Sequence, residues 1–167
     1  FKEFVRKIGL DDAMLMYLNG FDNKNNAPNE NYSRELFELF TLGEGNGYTQ
    51  DDITETARAL TGYNSRTNGG PISFNPNRFD DGEKTIFGQT GNWGYDDVIE
   101  ILFNEKSDLI SNYICTKIYK HFVSPIINDQ IISELSSDFI QNNFELLPLF
   151  KKLFKSEHFF NSDASNV

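Results

Sequence analysis

Cysteine, tryptophan and methionine are nearly missing from this chain, with one Cys, one Trp and two Met among 167 residues. The lone Cys115 excludes an intrachain disulfide. It lies on an apolar helical stretch without an adjacent base, so it reads as a buried, inert thiol rather than a nucleophile. Positive charge is scarce as well. Fifteen Lys and Arg stand against 25 Asp and Glu, a net charge of −10, and no basic cluster interrupts the pattern. A surface of that sign repels nucleic acid and anionic lipid, so no nucleic-acid partner is expected and solubility is the simplest consequence. No apolar run approaches the roughly 20 residues that span a bilayer, so no transmembrane segment is expected. HExxH, CxxC, GxSxG and Walker-type glycine motifs are all missing, and the two histidines, His121 and His158, form no zinc pair. No metal and no cofactor are therefore expected.

Phenylalanine and tyrosine are abundant instead. Hydrophobic residues make up only 38% of the chain, yet 16 Phe and 7 Tyr supply ring-rich packing, which excludes a fully disordered chain. The length fits one domain spanning residues 1–167, with its own core. The chain starts at Phe1 with neither an initiator Met nor a signal-peptide pattern, and it reads as a piece of something longer.

Periodicity predicts a mainly α, multi-helix fold. Val5, Ile8, Met14, Leu15 and Leu18 recur at helical spacing over 1–19, with Gly9 dividing the run, and the Asn-, Gly- and Pro-rich stretch that follows reads as an unpacked loop. A helix is expected over Asn29–Leu42, with Asn29 as N-cap, Glu30 in the first turn and Gly43 as stop. The next starts at Thr49, where Asp52 completes a capping box. It carries Ile53, Ala57 and Leu60 on one stripe and ends at Gly62. Residues 63–94 are loop-rich, and the runs PISFN and KTIFG are expected to pair as a short β-hairpin. Helices return over about 96–104 and 107–123. The second has Ser107 as N-cap, Ile110, Ile114, Ile118 and Phe122 along one side, and His121 at the core's edge beside Ile114 and Ile118. Pro125 breaks the chain, Asn128 caps a further helix carrying Ile131, Ile132, Leu135 and Phe139, and a last helix spans about 146–155. Residues 156–167 read as a frayed tail.

Several polar residues are unusual for their positions. On a wheel of about 100° per residue, Tyr32, Leu36, Leu39 and Phe40 face the core while Glu30, Arg34, Glu38 and Thr41 form a ladder opposite. Glu35 falls at the border of the apolar face, where a carboxylate needs a basic partner. Arg58 and Lys84 are the available cations, and a Glu35–Arg58 tie between consecutive helices is the expected use. Asp80, Asp81 and Glu83 bunch around Gly82 as a polar turn, and their hard oxygens could hold calcium, although the spacing matches no EF-hand loop. Trp93 reads as a plug that seats its loop on the core.

The stretches PNENYSRELFELFTLG (28–43), GYTQDDITETARALTGY (47–63), FNPNRFDDGEKTIFGQTGNWG (74–94) and the closing EHFF together resemble the bacterial domain of unknown function 1800 family. The resemblance covers nearly the whole chain and implies that this is the C-terminal portion of a longer, exported protein, encoded beside a sulfatase-like partner family. It brings no established activity. Asn29, Glu30, Arg34, Glu35, Glu38, Thr41, Arg58, Asp80, Gly82 and Lys84 match the family pattern, whereas Phe40 and Phe79 stand where members often carry histidine.

Asn29, Glu30, Arg34, Glu35, Glu38, Arg58, Asp80 and Lys84 are accordingly the candidate polar cluster, with no catalytic residue assigned. The expected function is a non-catalytic binding or scaffold module in the cell envelope, contacting a sulfatase-like protein or a surface glycan. The alternative is a hydrolase of carbohydrate or sulfated glycan, with Glu35 and Asp80 about 5–9.5 Å apart as acid and base.

Overall fold

A computed structural model describes residues 1–63 and 72–160, and the fold is mainly α. The helices are α1 (Lys2–Ile8), α2 (Asp12–Tyr17), α3 (Asn31–Glu35), α4 (Gln50–Ala59), α5 (Tyr95–Glu105), α6 (Ser107–Phe122), α7 (Asp129–Gln141), α8 (Leu146–Lys155) and α9 (Glu157–Phe160). Within the tail expected to fray, residues 157–160 are thus helical, while 161–167 lie outside the described residues. The chain packs as two compact units, one of residues 3–106 and one of 1–2 with the segment from Ser107 onward.

In the first unit, Gly9 separates α1 from α2, as the sequence implies. The following loop is not unpacked. Gly20 and Asn23 are buried, and Asn23 donates to the Ala57 carbonyl at 3.0 Å while accepting from the Asn29 N–H at 2.9 Å. A buried loop backbone is tolerated because its polar groups are met this way.

The helix starting at Asn31 changes pitch midway. Beyond α3 it runs as a π-helix over Leu36–Thr41, closed by Leu42 N–H to Phe37 O at 2.8 Å. The wider turn rotates every later side chain away from its α-wheel position. Phe37 and Thr41 become fully buried, and Leu39 turns outward to 54% exposure. The two-sided wheel expected for this helix therefore fails after Leu36. Thr41, expected on the ladder, instead donates to the Leu36 carbonyl at 2.5 Å.

The capping box of α4 forms as expected. Thr49 accepts from the Asp52 N–H at 3.1 Å, and the Thr49 N–H donates to the Asp52 carboxylate at 2.9 Å. Ile53, Ala57 and Leu60 are buried along one stripe, and Gly62 takes φ +82°, a conformation open to glycine.

The β-hairpin has a different partner from the one expected. Lys84–Ile86 (β1) pairs antiparallel with Gln89–Gly91 (β2), not with PISFN, across a two-residue turn at Phe87 (φ +49°) and Gly88 (φ +82°). Two positive φ values in sequence twist in the sense a tight hairpin requires. Phe87 accepts that unfavourable backbone because its ring packs 5.1 Å from Phe37 and its N–H donates to Asp52 at 2.7 Å. Trp93 closes over this hairpin, donating to the Gln89 carbonyl at 3.1 Å.

In the second unit α7 packs on α6 and α8. The buried side of α6 is Ile110, Ser111, Cys115 and Tyr119, so the stripe expected through Ile114, Ile118 and Phe122 lies at its flank. His121 is exposed rather than at the core's edge, and it meets the Phe122 ring edge-on at 4.6 Å. Burial pushes the Cys115 thiol up to about 11, as an inert side chain requires. Asn128 caps α7, accepting from the Ile131 N–H at 3.2 Å.

Candidate functional site

Most of the candidate residues fall into two networks in the 3–106 unit. The first joins α3 to α4. Arg34 reaches Glu30 at 3.1 Å and Glu38 at 3.3 Å, and it also donates to the Gln50 amide oxygen at 2.9 Å. Glu30 accepts from Gln50 and from Thr54 as well, each at 2.9 Å. Burial raises the Glu30 carboxyl, but the donors Gln50, Thr54 and Arg34 outweigh it and hold it below the ordinary range. Glu30 occupies the N-cap position in helical conformation instead of the first turn, and Asn29 just before it accepts from the Asn31 N–H at 2.9 Å.

The second network centres on Arg58, on the last turn of α4. Its guanidinium grips Asp80 two-pronged, Nε to Oδ2 at 2.7 Å and NH2 to Oδ1 at 3.1 Å, and it reaches Glu55 at 2.8 Å and the Glu83 carbonyl at 3.1 Å. This fork-on-carboxylate geometry is specific to arginine. The bond from Arg58 keeps the Asp80 carboxyl below its ordinary range, helped by the Gly82 N–H at 3.0 Å. Reciprocally, the Asp80 contact raises the Arg58 guanidinium. A side chain at Gly82 would come within 3.0 Å of Arg58 and 3.1 Å of Asp80, so this glycine lets the backbone come close.

Glu35 stands outside both networks. The expected Glu35–Arg58 tie does not form, because Asp80 and Glu55 occupy the guanidinium. Glu55 is the residue sequence reasoning missed, although its position three residues before Arg58 on one helix was a readable signal. Its carboxylate also accepts from the Thr85 N–H at 3.1 Å, which fastens β1 to α4. The calcium reading of Asp80, Asp81 and Glu83 fails for the same reason. Both Asp80 oxygens are held by Arg58, and no cluster of three or more metal-ligating side chains occurs among the described residues.

Lys84 is the unusual member. It begins β1 yet is only 1% exposed, with its ammonium donating to the Asp80 carbonyl and, at 3.1 Å, to Asn92, and lying 4.6 Å over the Phe79 ring. Phe79 thus supplies a ring face to a buried cation. Burial lowers the Lys84 pKa. Between that lowered value and about 10.4 the unfolded chain binds more protons than the folded one, so stability rises with pH through this window. Lys84→Met is expected to destabilise by about 1–3 kcal/mol, because it leaves the Asp80 carbonyl and the Asn92 amide oxygen without their donor. It should also abolish the alkaline rise. Urea denaturation across that pH range checks both, and an unaltered rise in the variant would refute the assignment.

Beside these networks lies an open groove of about 800 Å³, lined by Tyr48, Asp51, Thr54, Thr85, Phe87 and Lys106 among others. Lys106 lies 4.6 Å over the Phe87 ring.

Residues 1–167 match the family model described as Protein of unknown function (DUF1800). No curated protein and no solved structure matches the chain.

Proposed function

We propose that this chain, which belongs to the DUF1800 family of proteins of unknown function, is a non-catalytic binding module of an exported envelope protein, and that its groove takes an uncharged surface glycan. One observation carries the reading. Of the two carboxylates expected as acid and base, Asp80 has both oxygens gripped by Arg58 and Glu35 stands outside that network, so the pair does not assemble. A glycosidase acid needs a carboxyl held protonated, and Asp80 is shifted the opposite way.

The groove offers sugar recognition the Tyr48 ring, the Thr54 and Thr85 hydroxyl oxygens as further acceptors, and the exposed carboxylate of Asp51. The net charge of −10 argues against a sulfated ligand on simple repulsion. No helix among the described residues is long and apolar enough to cross a membrane. The envelope setting follows from the family resemblance, and fractionation of cells producing the tagged parent protein tests it.

An array of neutral, amino and sulfated glycans tests the module. Retention of neutral members, weakened about tenfold in Asp51→Ala by loss of one charge-assisted hydrogen bond, is the expected result. Turnover of any glycan, or retention of sulfated members alone, overturns the reading.

A further inference from the structure

The chain contains three Asn–Gly pairs, Asn19–Gly20, Asn46–Gly47 and Asn68–Gly69, of which the last lies outside the described residues. As sequence the first two are equivalent, since glycine leaves the following nitrogen sterically open in both. The fold makes them different.

Gly20 is buried at the start of a 3₁₀ turn, Gly20–Asp22, and a Cβ placed on it would meet Leu15 at 2.4 Å. Asn19 sits against it in the left-handed region at φ +56° and ψ +30°, with its N–H on the Met16 carbonyl. Reorganising that backbone means unpacking the turn. Asn46 lies in the exposed segment 44–47 after the π-helix, where Gly45 and Gly47 both take positive φ. A Cβ on Gly45 would meet nothing within 4 Å, and the Gly47 N–H makes no hydrogen bond among the described residues. The nitrogen next to the Asn46 side chain is therefore unengaged, on a backbone with room to move.

We infer that Asn46 is a site of spontaneous intrachain modification. The Gly47 nitrogen forms a bond to the Asn46 side-chain Cγ, and the Cγ–Nδ2 bond breaks. The proton of the Gly47 amide leaves with Nδ2 as ammonia. Water then opens the resulting succinimide at either carbonyl, giving aspartate or isoaspartate. The net change is amide plus water to acid plus ammonia, and no oxidant or reductant takes part.

The product has a structural consequence. The Asn46 amide donates from Nδ2 to the Leu42 carbonyl at 2.9 Å, capping the C-terminal end of the π-helix. A carboxylate there removes a donor and sets negative charge against the negative end of the helix. The isoaspartate branch also lengthens the main chain by one carbon just before Gly47 and Tyr48, two residues of the groove wall.

Peptide mass mapping of the intact chain, incubated folded and in urea at mildly alkaline pH, tests the inference. Incubation runs until the denatured chain has converted both Asn19 and Asn46. In the folded chain Asn46 should convert about tenfold or more faster than Asn19, because only Asn19 must first open a packed turn. Asn46→Gln should abolish the shifted peptide, and Asn46→Asp should unfold at lower temperature than the parent. Equal rates at the two sites in the folded chain, or an unmodified Asn46 there, overturns it.

Discussion

Arg58→Ala is expected to destabilise the 3–106 unit by about 2–4 kcal/mol at neutral pH, and by much less in acid. Removal of the guanidinium leaves Asp80 and Glu55 facing each other without a cation, at side-chain exposures of only 17% and 24%. Breaking a fully buried pair costs about 3–5 kcal/mol. The expectation here is lower because Asp80 retains the Gly82 N–H and Glu55 retains the Thr85 N–H. The pH dependence follows from the depressed Asp80 carboxyl. Between its lowered value and about 3.9 the unfolded chain carries the extra proton, so this contribution is fully present above about pH 4 and is lost as pH falls through the folded value. The variant loses the largest cause of the depression and keeps only the smaller pull of the Gly82 N–H and Lys84, so parent and variant draw together in acid. Urea titrations at neutral and strongly acidic pH measure the difference, and an equal penalty at both would show that Arg58 acts through packing. Arg58→Lys should recover little, since an ammonium cannot reproduce the two-pronged contact.

Gly9→Ala is expected to be as damaging, by a different route. Its new methyl would stand 2.0 Å from the Tyr32 hydroxyl and 2.2 Å from that of Tyr95, both on buried side chains. The cavity lined by Gly9, Tyr32 and Tyr95 holds only about 20 Å³, too little to absorb the displacement. Overpacking of this kind costs about 1–3 kcal/mol and occasionally more, which exceeds the 0.4–1 kcal/mol that Gly→Ala returns through the unfolded chain. The Tyr95 hydroxyl cannot simply swing aside, because it donates to the Arg6 carbonyl at 2.8 Å. A double-mutant cycle decides the cause. In a Tyr32→Phe background, which removes the nearest oxygen, Gly9→Ala should cost measurably less. An unchanged penalty would place the damage in the backbone rather than in the clash.

Helix ends were the most legible part of this fold. Thr49 with Asp52, and Asn128 before Ile131, satisfy first-turn N–H groups from within three residues, so the local sequence itself specifies the cap. The candidate cluster was half legible. Glu30, Arg34 and Glu38 meet as i, i+4 neighbours, a spacing visible without coordinates. The partner of Arg58 was not. Asp80 lies 22 positions away beyond a loop, and nothing local separates it from Glu35 as the acceptor. In the sequence Lys84 is a cation available to a partner, whereas the fold seals it under Phe79, because a strand that packs on α4 buries alternate side chains whatever their charge.

Composition and local pattern alone determined the mainly helical class, the caps of α4 and α7 and the family, because each depends on near neighbours or on the sum of the residues, whereas the interior is mostly aliphatic rather than ring-packed. Tertiary structure alone decided the π-turn that buries Phe37 and exposes Leu39, the hairpin partner of β1 and the choice of Asp80 by Arg58. Each of these is a competition between arrangements of similar local energy. The outcome rests on contacts such as Phe37 with Phe87, which exist only once distant segments have met.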